Sequence, residues 1–122
     1  MISFQLYKLI HFLGIFMLLF SLGGILLHRI NGGTPQHSWR LPTMMTHGIG
    51  LFLILLGGFG MMARLGIISG LPGWIYGKLA IWFVLGALVV VIRFKPVLAR
   101  GLWWGGIALG AGAAFLAINK PF

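Results

Sequence analysis

The sequence predicts an all-α integral membrane protein: one domain, residues 1–122, of four transmembrane helices in an up-down bundle. Three observations predict it. Hydrophobic residues make up 60% of the 122 and charged residues 7%, too few charges to cover a soluble surface. Four apolar runs of about 18–25 residues each suffice for a hydrocarbon core of roughly 30 Å. Glycine, proline and asparagine punctuate the gaps between them, with Trp, Arg and Lys at their edges, where turns and interface anchors belong.

The first helix is expected over about 2–28. Its run is too long for a signal-peptide core and no small-residue cleavage site follows, so it reads as a retained span. Gly23 and Gly24 offer a close-packing point near its end, and His28-Arg29 mark its exit among the headgroups. Asn31-Gly32-Gly33-Thr34-Pro35 is a turn cluster. The loop is expected to continue through His37, Trp39, Arg40 and Pro42, with His37 facing solvent. The second helix, about 43–64, opens with Thr46-His47-Gly48-Ile49-Gly50. Small residues beside a histidine leave room for a flat ligand or a neighbouring helix. Gly57, Gly58 and Gly60 make a further close-approach surface. Gly66, Ser69-Gly70 and Pro72 form the next link. In the third helix, about 73–93, Trp74, Lys78 and Trp82 recur every four residues, placing an ammonium between two indoles. Arg93, Lys95 and Arg100 make a basic hairpin loop. The fourth helix, about 101–119, carries Gly101/Gly105 and Gly106/Gly110 at GxxxG spacing, a sign of tight packing inside the bundle, against a second copy or against a larger complex. Asn119-Lys120-Pro121-Phe122 returns the chain to the interface.

Nine Lys/Arg stand against no Asp or Glu, and there is no Cys. Carboxylate-pair hydrolysis, Ser-His-Asp catalysis, calcium cages and thiolate metal sites are therefore excluded within this chain. The cations are scattered at the ends of apolar runs, which points to membrane anchoring and not to nucleic acid. Anionic lipid or an acidic membrane partner would balance them.

Depth organises the polar residues. With four spans both termini lie on one side, side A. Lys8 lies about one turn in from that side, His11 about 10 Å in, and Lys78 about one turn in on the third helix. Lys8 and His11, three apart, share a helical face. His47 enters from the opposite side, side B, about 6 Å deep, which leaves some 14 Å between the two histidines along the normal. A single metal clamped by both is awkward. His47 is either an interfacial residue bonded to a carbonyl or water, or a weaker metal candidate. Lys8 and Lys78 either snorkel to the headgroups or meet an anion from outside the chain. An imidazole two turns down cannot reach the interface, so His11 is either bonded inside the bundle or a ligand, and imidazole is a common axial ligand of haem iron. With Lys8 and Lys78 counted as intramembrane, Arg29, Arg40, Arg93, Lys95 and Arg100 on side B outnumber Arg64 and Lys120 on side A. That favours side B as cytoplasmic, with both termini periplasmic across a bacterial inner membrane.

Lys8-x-x-His11, an arginine at the first helix's exit, a glycine-containing second helix, Trp74-x-x-x-Lys78-Leu79 and the Lys120-Pro121-Phe122 terminus together resemble the HemJ-type protoporphyrinogen oxidase family. The resemblance covers most of the chain in outline, through short motifs. It implies a small helical membrane protein that binds haem b, with His11 as the iron ligand, Lys78 as second ligand or propionate partner, Lys8 assisting, and porphyrinogen oxidation or electron transfer as the activity. The chain departs from that family in its short loops, its lack of acidic residues and the missing basic segment after the third helix. The alternative is a non-catalytic accessory subunit of a larger respiratory or photosynthetic membrane complex, docked through the fourth helix. A weaker third reading is copper handling through Met44-Met45 and Met61-Met62, although methionines also serve as apolar filling.

Overall fold

In lipid, apolar surface alone does not drive helices together, because the surrounding tails are as apolar as leucine; close fit does. The computed structural model describes residues 3–66 and 70–120. Its four α-helices are α1 (Phe4–Ile30), α2 (Arg40–Arg64), α3 (Gly73–Phe94) and α4 (Ala99–Asn119). All four are long and apolar enough to cross a membrane. The expected start at Ile2, Ser69 of the link and the Pro121-Phe122 end lie outside the described residues.

Most boundaries fall within two residues of expectation, and α2 is the exception. It begins at Arg40, three residues early, and absorbs Arg40, Leu41 and Pro42, which the sequence reading assigned to the loop. Proline in a first helical turn costs little, because the N–H it lacks would have had no intrahelical acceptor. α1 is capped by the Ser3 hydroxyl, which accepts from the Leu6 N–H at 3.2 Å. It ends at Asn31, after which Gly32 adopts φ +85°, a conformation that suits glycine. A single 3₁₀ turn, Pro96–Leu98, joins α3 to α4.

The tightest seam joins α1 to α2. A Cβ on Gly14 would lie 2.7 Å from the Gly50 carbonyl oxygen, one on Gly50 2.8 Å from the Leu18 nitrogen, and one on Gly57 2.5 Å from the His11 nitrogen. Gly60 lies directly against the Tyr7 ring. Glycine here lets two backbones touch, and the expected surface over Gly57, Gly58 and Gly60 is this contact. The same logic fails elsewhere. Nothing lies within 4 Å of a Cβ placed on Gly24, Gly101, Gly105 or Gly110, and Gly23 only faces Trp103 at 3.7 Å. Among the α4 glycines, Gly106 is buried beside Leu22 and Gly112 faces Ile81 at 3.6 Å, while Gly101, Gly105 and Gly110 meet no described residue.

The apolar core gathers toward side B. Leu18, Leu22 and Leu26 of α1 meet Leu85, Leu88 and Ile92 of α3 and Ala99 at the start of α4. Within the best membrane-spanning window of each helix, 33% of α1 is buried against 6% of α4, so α1 is the central helix and α4 the peripheral one. Trp82 does not flank Lys78 as expected. Its indole N–H donates to the Leu51 carbonyl at 3.1 Å and ties α3 to α2, since a buried indole N–H requires an acceptor. Trp82→Phe is expected to lower the midpoint of unfolding in mixed micelles by the equivalent of about 0.6–1.7 kcal/mol, the range for interhelical hydrogen bonds in a bilayer.

Candidate functional site

His11 is 8% exposed and sits in the α1–α2 seam. Its ring lies along Gly58, whose added Cβ would be 3.5 Å from both Nδ1 and Cε1. Nδ1 is 2.8 Å from the Ile54 carbonyl oxygen. A carbonyl can only accept, so Nδ1 carries the proton and Nε2 holds the lone pair. No described residue hydrogen-bonds that Nε2. The two roles that the sequence left open for His11 are therefore compatible: one nitrogen is bonded inside the bundle and the other is available.

Lys78 enters the same level from α3, half-buried and within electrostatic reach of His11. Its Nζ stands 5.9 Å from the Trp74 ring centroid, and Lys120 Nζ shares that ring at 5.3 Å. Two ammonium groups thus share one indole where one ammonium between two indoles was expected. Lys8 separates from the group. Three residues correspond to about 60° around a helix, enough to leave Lys8 exposed against Phe12 at 5.9 Å while His11 turns inward.

His47 belongs to a different place. With α2 beginning at Arg40, it lies seven residues in, about 10 Å of helix. It is 4% exposed. The ring lies near the Leu85 backbone of α3, and its Nε2 is buried with no hydrogen-bond partner among the described residues. Seven residues, again about 10 Å, separate it from Ile54 beside His11, so the two histidines do not share a metal. Among the described residues no three His, Cys, Asp or Glu gather as a metal-binding group.

The side-B end holds a cluster that sequence reasoning missed. Arg29, Arg40 and Arg93 line one cleft together with His28 and His37. His37 does not simply face solvent as expected: it is half-buried, its ring centroid 4.3 Å from that of His28. His28 Nε2 in turn lies 2.8 Å from the Thr34 carbonyl oxygen, and Gly33, directly beneath the His28 ring, has no side chain to displace it. The sequence placed each of these residues on side B but gave no sign that three helix ends converge there.

These features define a four-helix membrane protein with a histidine–lysine site toward side A and an arginine-lined cleft at side B. Comparison with known family models, curated proteins and solved structures finds no match to this chain.

Proposed function

We propose that the side-A site binds a b-type haem or related porphyrin, with His11 Nε2 as the axial ligand and Lys78 and Lys120 as partners for its propionates. The observation that carries this reading is the Nδ1–H of His11 held by the Ile54 carbonyl. Such a bond fixes the tautomer and orientation of a metal-binding imidazole. The donor set fits a macrocycle better than a bare ion: a metal already held by four pyrrole nitrogens needs only an axial donor, whereas a free ion needs a cluster of protein ligands. The ammonium groups at Trp74 call for anions that a chain without Asp or Glu does not supply, and propionates would meet them. A bound porphyrin would supply the redox chemistry that the side chains lack, and the resemblance to HemJ-type proteins makes porphyrinogen oxidation or electron transfer its use. Lys8, exposed on the outer face, is at most a peripheral contact. His47, the weaker metal candidate, lies outside this site. In this reading the protein resides in a bacterial inner membrane with both termini periplasmic, in keeping with the arginines at the side-B end.

Titrating haem b into the detergent-solubilised protein tests the reading. Saturation near one equivalent is expected, with affinity at least about tenfold weaker in His11→Ala, a loss of about 1.4 kcal/mol. Uptake that ignores His11 would count against it.

A second reading is favoured by α4, whose Gly101, Gly105 and Gly110 meet nothing within 4 Å. In that reading the chain is an accessory subunit of a respiratory or photosynthetic complex. Its partner helices would carry the carboxylates that this chain of nine cations lacks. Stoichiometric co-purification with such an acidic partner, lost in Gly105→Ile, would favour it.

A further inference from the structure

We propose that the side-B cleft is a phosphate-binding site that takes the phosphate of an anionic phospholipid headgroup or of a soluble phosphate. Three arginines reach it from three separate helices: Arg29 from the end of α1, Arg40 from the start of α2 and Arg93 from the end of α3. Like charges do not gather without reason, and no Asp or Glu exists anywhere in the chain to neutralise them. The planar guanidinium matches phosphate oxygens in pairs.

Arg29 supplies the second, independent observation. Its Nη1 donates to the Gly33 carbonyl at 2.9 Å, which holds the side chain in place. Its Nε is buried with no hydrogen-bond partner among the described residues. Buried donors normally find acceptors, so this one marks where an acceptor belongs. The start of α2 adds to the field. Trp39 provides no side-chain cap there, and an uncapped helix N-terminus favours an anion. The loop is built around the cleft, with the His28 ring between the Thr34 carbonyl and the His37 ring.

Size and polarity indicate the ligand class. The cleft holds about 130 Å³, below the roughly 300–1,000 Å³ of a pocket for a drug-sized molecule but enough for a tetrahedral anion. Ile25, Val89 and Val90 form its apolar wall, so a phosphate at the arginines could leave an acyl chain against valine and isoleucine. The site lies at the opposite end of the bundle from His11 and does not depend on the haem reading.

The test titrates delipidated full-length protein in neutral detergent with short-chain phosphatidylglycerol and, separately, with inorganic phosphate. Saturable binding is expected, and Arg40→Gln and Arg93→Gln should each weaken it by about tenfold, the scale of a lost charge-assisted hydrogen bond. Both arginines are exposed, so these variants carry the test even if Arg29→Gln fails to fold. Lys95→Gln removes the same charge just outside the cleft and should leave binding within about twofold. Binding of the lipid alone assigns the site to a headgroup, and binding of inorganic phosphate assigns it to a soluble anion; either upholds the proposal. No saturable binding of either, or equal weakening by Lys95→Gln, overturns it.

Discussion

Gly57→Ala is expected to destabilise the bundle by about 2–3 kcal/mol, toward the upper end of what one added methyl costs in a filled core. The new Cβ would stand 2.5 Å from the His11 nitrogen and 2.7 Å from its Cα. Those atoms belong to helix backbone and cannot swing aside, so α1 and α2 must separate. The separation would also stretch the 2.8 Å bond between His11 Nδ1 and the Ile54 carbonyl, so under the proposed haem reading the variant should lose haem affinity along with stability. Gly105→Ala is the matched control. Nothing lies within 4 Å of its Cβ, and alanine is the better helix former by about 0.5–1 kcal/mol. Its stability should hold or rise. Reversible unfolding in mixed micelles measures both, and equal losses would show that the α1–α2 seam is not the tight one.

His47→Leu is expected to stabilise the protein by about 1–3 kcal/mol, the cost of leaving a buried polar atom without a partner. Its Nε2 is sealed and unbonded. The Leu85 backbone near the ring belongs to helix α3, so its carbonyl retains a helical bond when the imidazole is gone. The α1–α2 register, with His11 opposite Gly57 and Leu18 opposite Gly50, puts Ser21 level with His47. The Ser21 hydroxyl is already engaged with the Met17 and Leu18 carbonyls at 2.7 and 3.0 Å and cannot donate elsewhere. A loss of stability in His47→Leu would mean that the ring has a partner, such as a water or a metal ion, that repays its burial.

The four spans were legible in the sequence because length and apolar content alone decide them in a bilayer. The α1–α2 seam was partly legible. Gly50 and Gly57 are seven apart, as are His11 and Leu18, which is the repeat of a close antiparallel pair. Gly101, Gly105 and Gly110 of α4 have equally suggestive spacing and pack against none of the described residues. Spacing states what a helix face permits; neighbours decide whether it is used. The inward position of His11 followed from its depth, because an imidazole is too short to snorkel. The separation of Lys8 from it did not follow, since a three-residue offset leaves the flank undecided. Lys120 joins Lys78 at Trp74 only because the end of α4 returns beside the start of α3. The arginine cleft was hidden for the same reason: each arginine alone reads as an interface anchor, and only the packing of three helix ends makes them one site.

The claim that His11 is the ligand of a porphyrin metal is tested most directly by the absorption spectrum of the protein purified from haem-replete cells, oxidised and then reduced. The account predicts a Soret band that shifts on reduction, is lost in His11→Ala, and survives in Lys8→Ala and His47→Leu. A folded protein that is colourless and stays so when haem b is added, or a Soret band indifferent to His11→Ala, would contradict it.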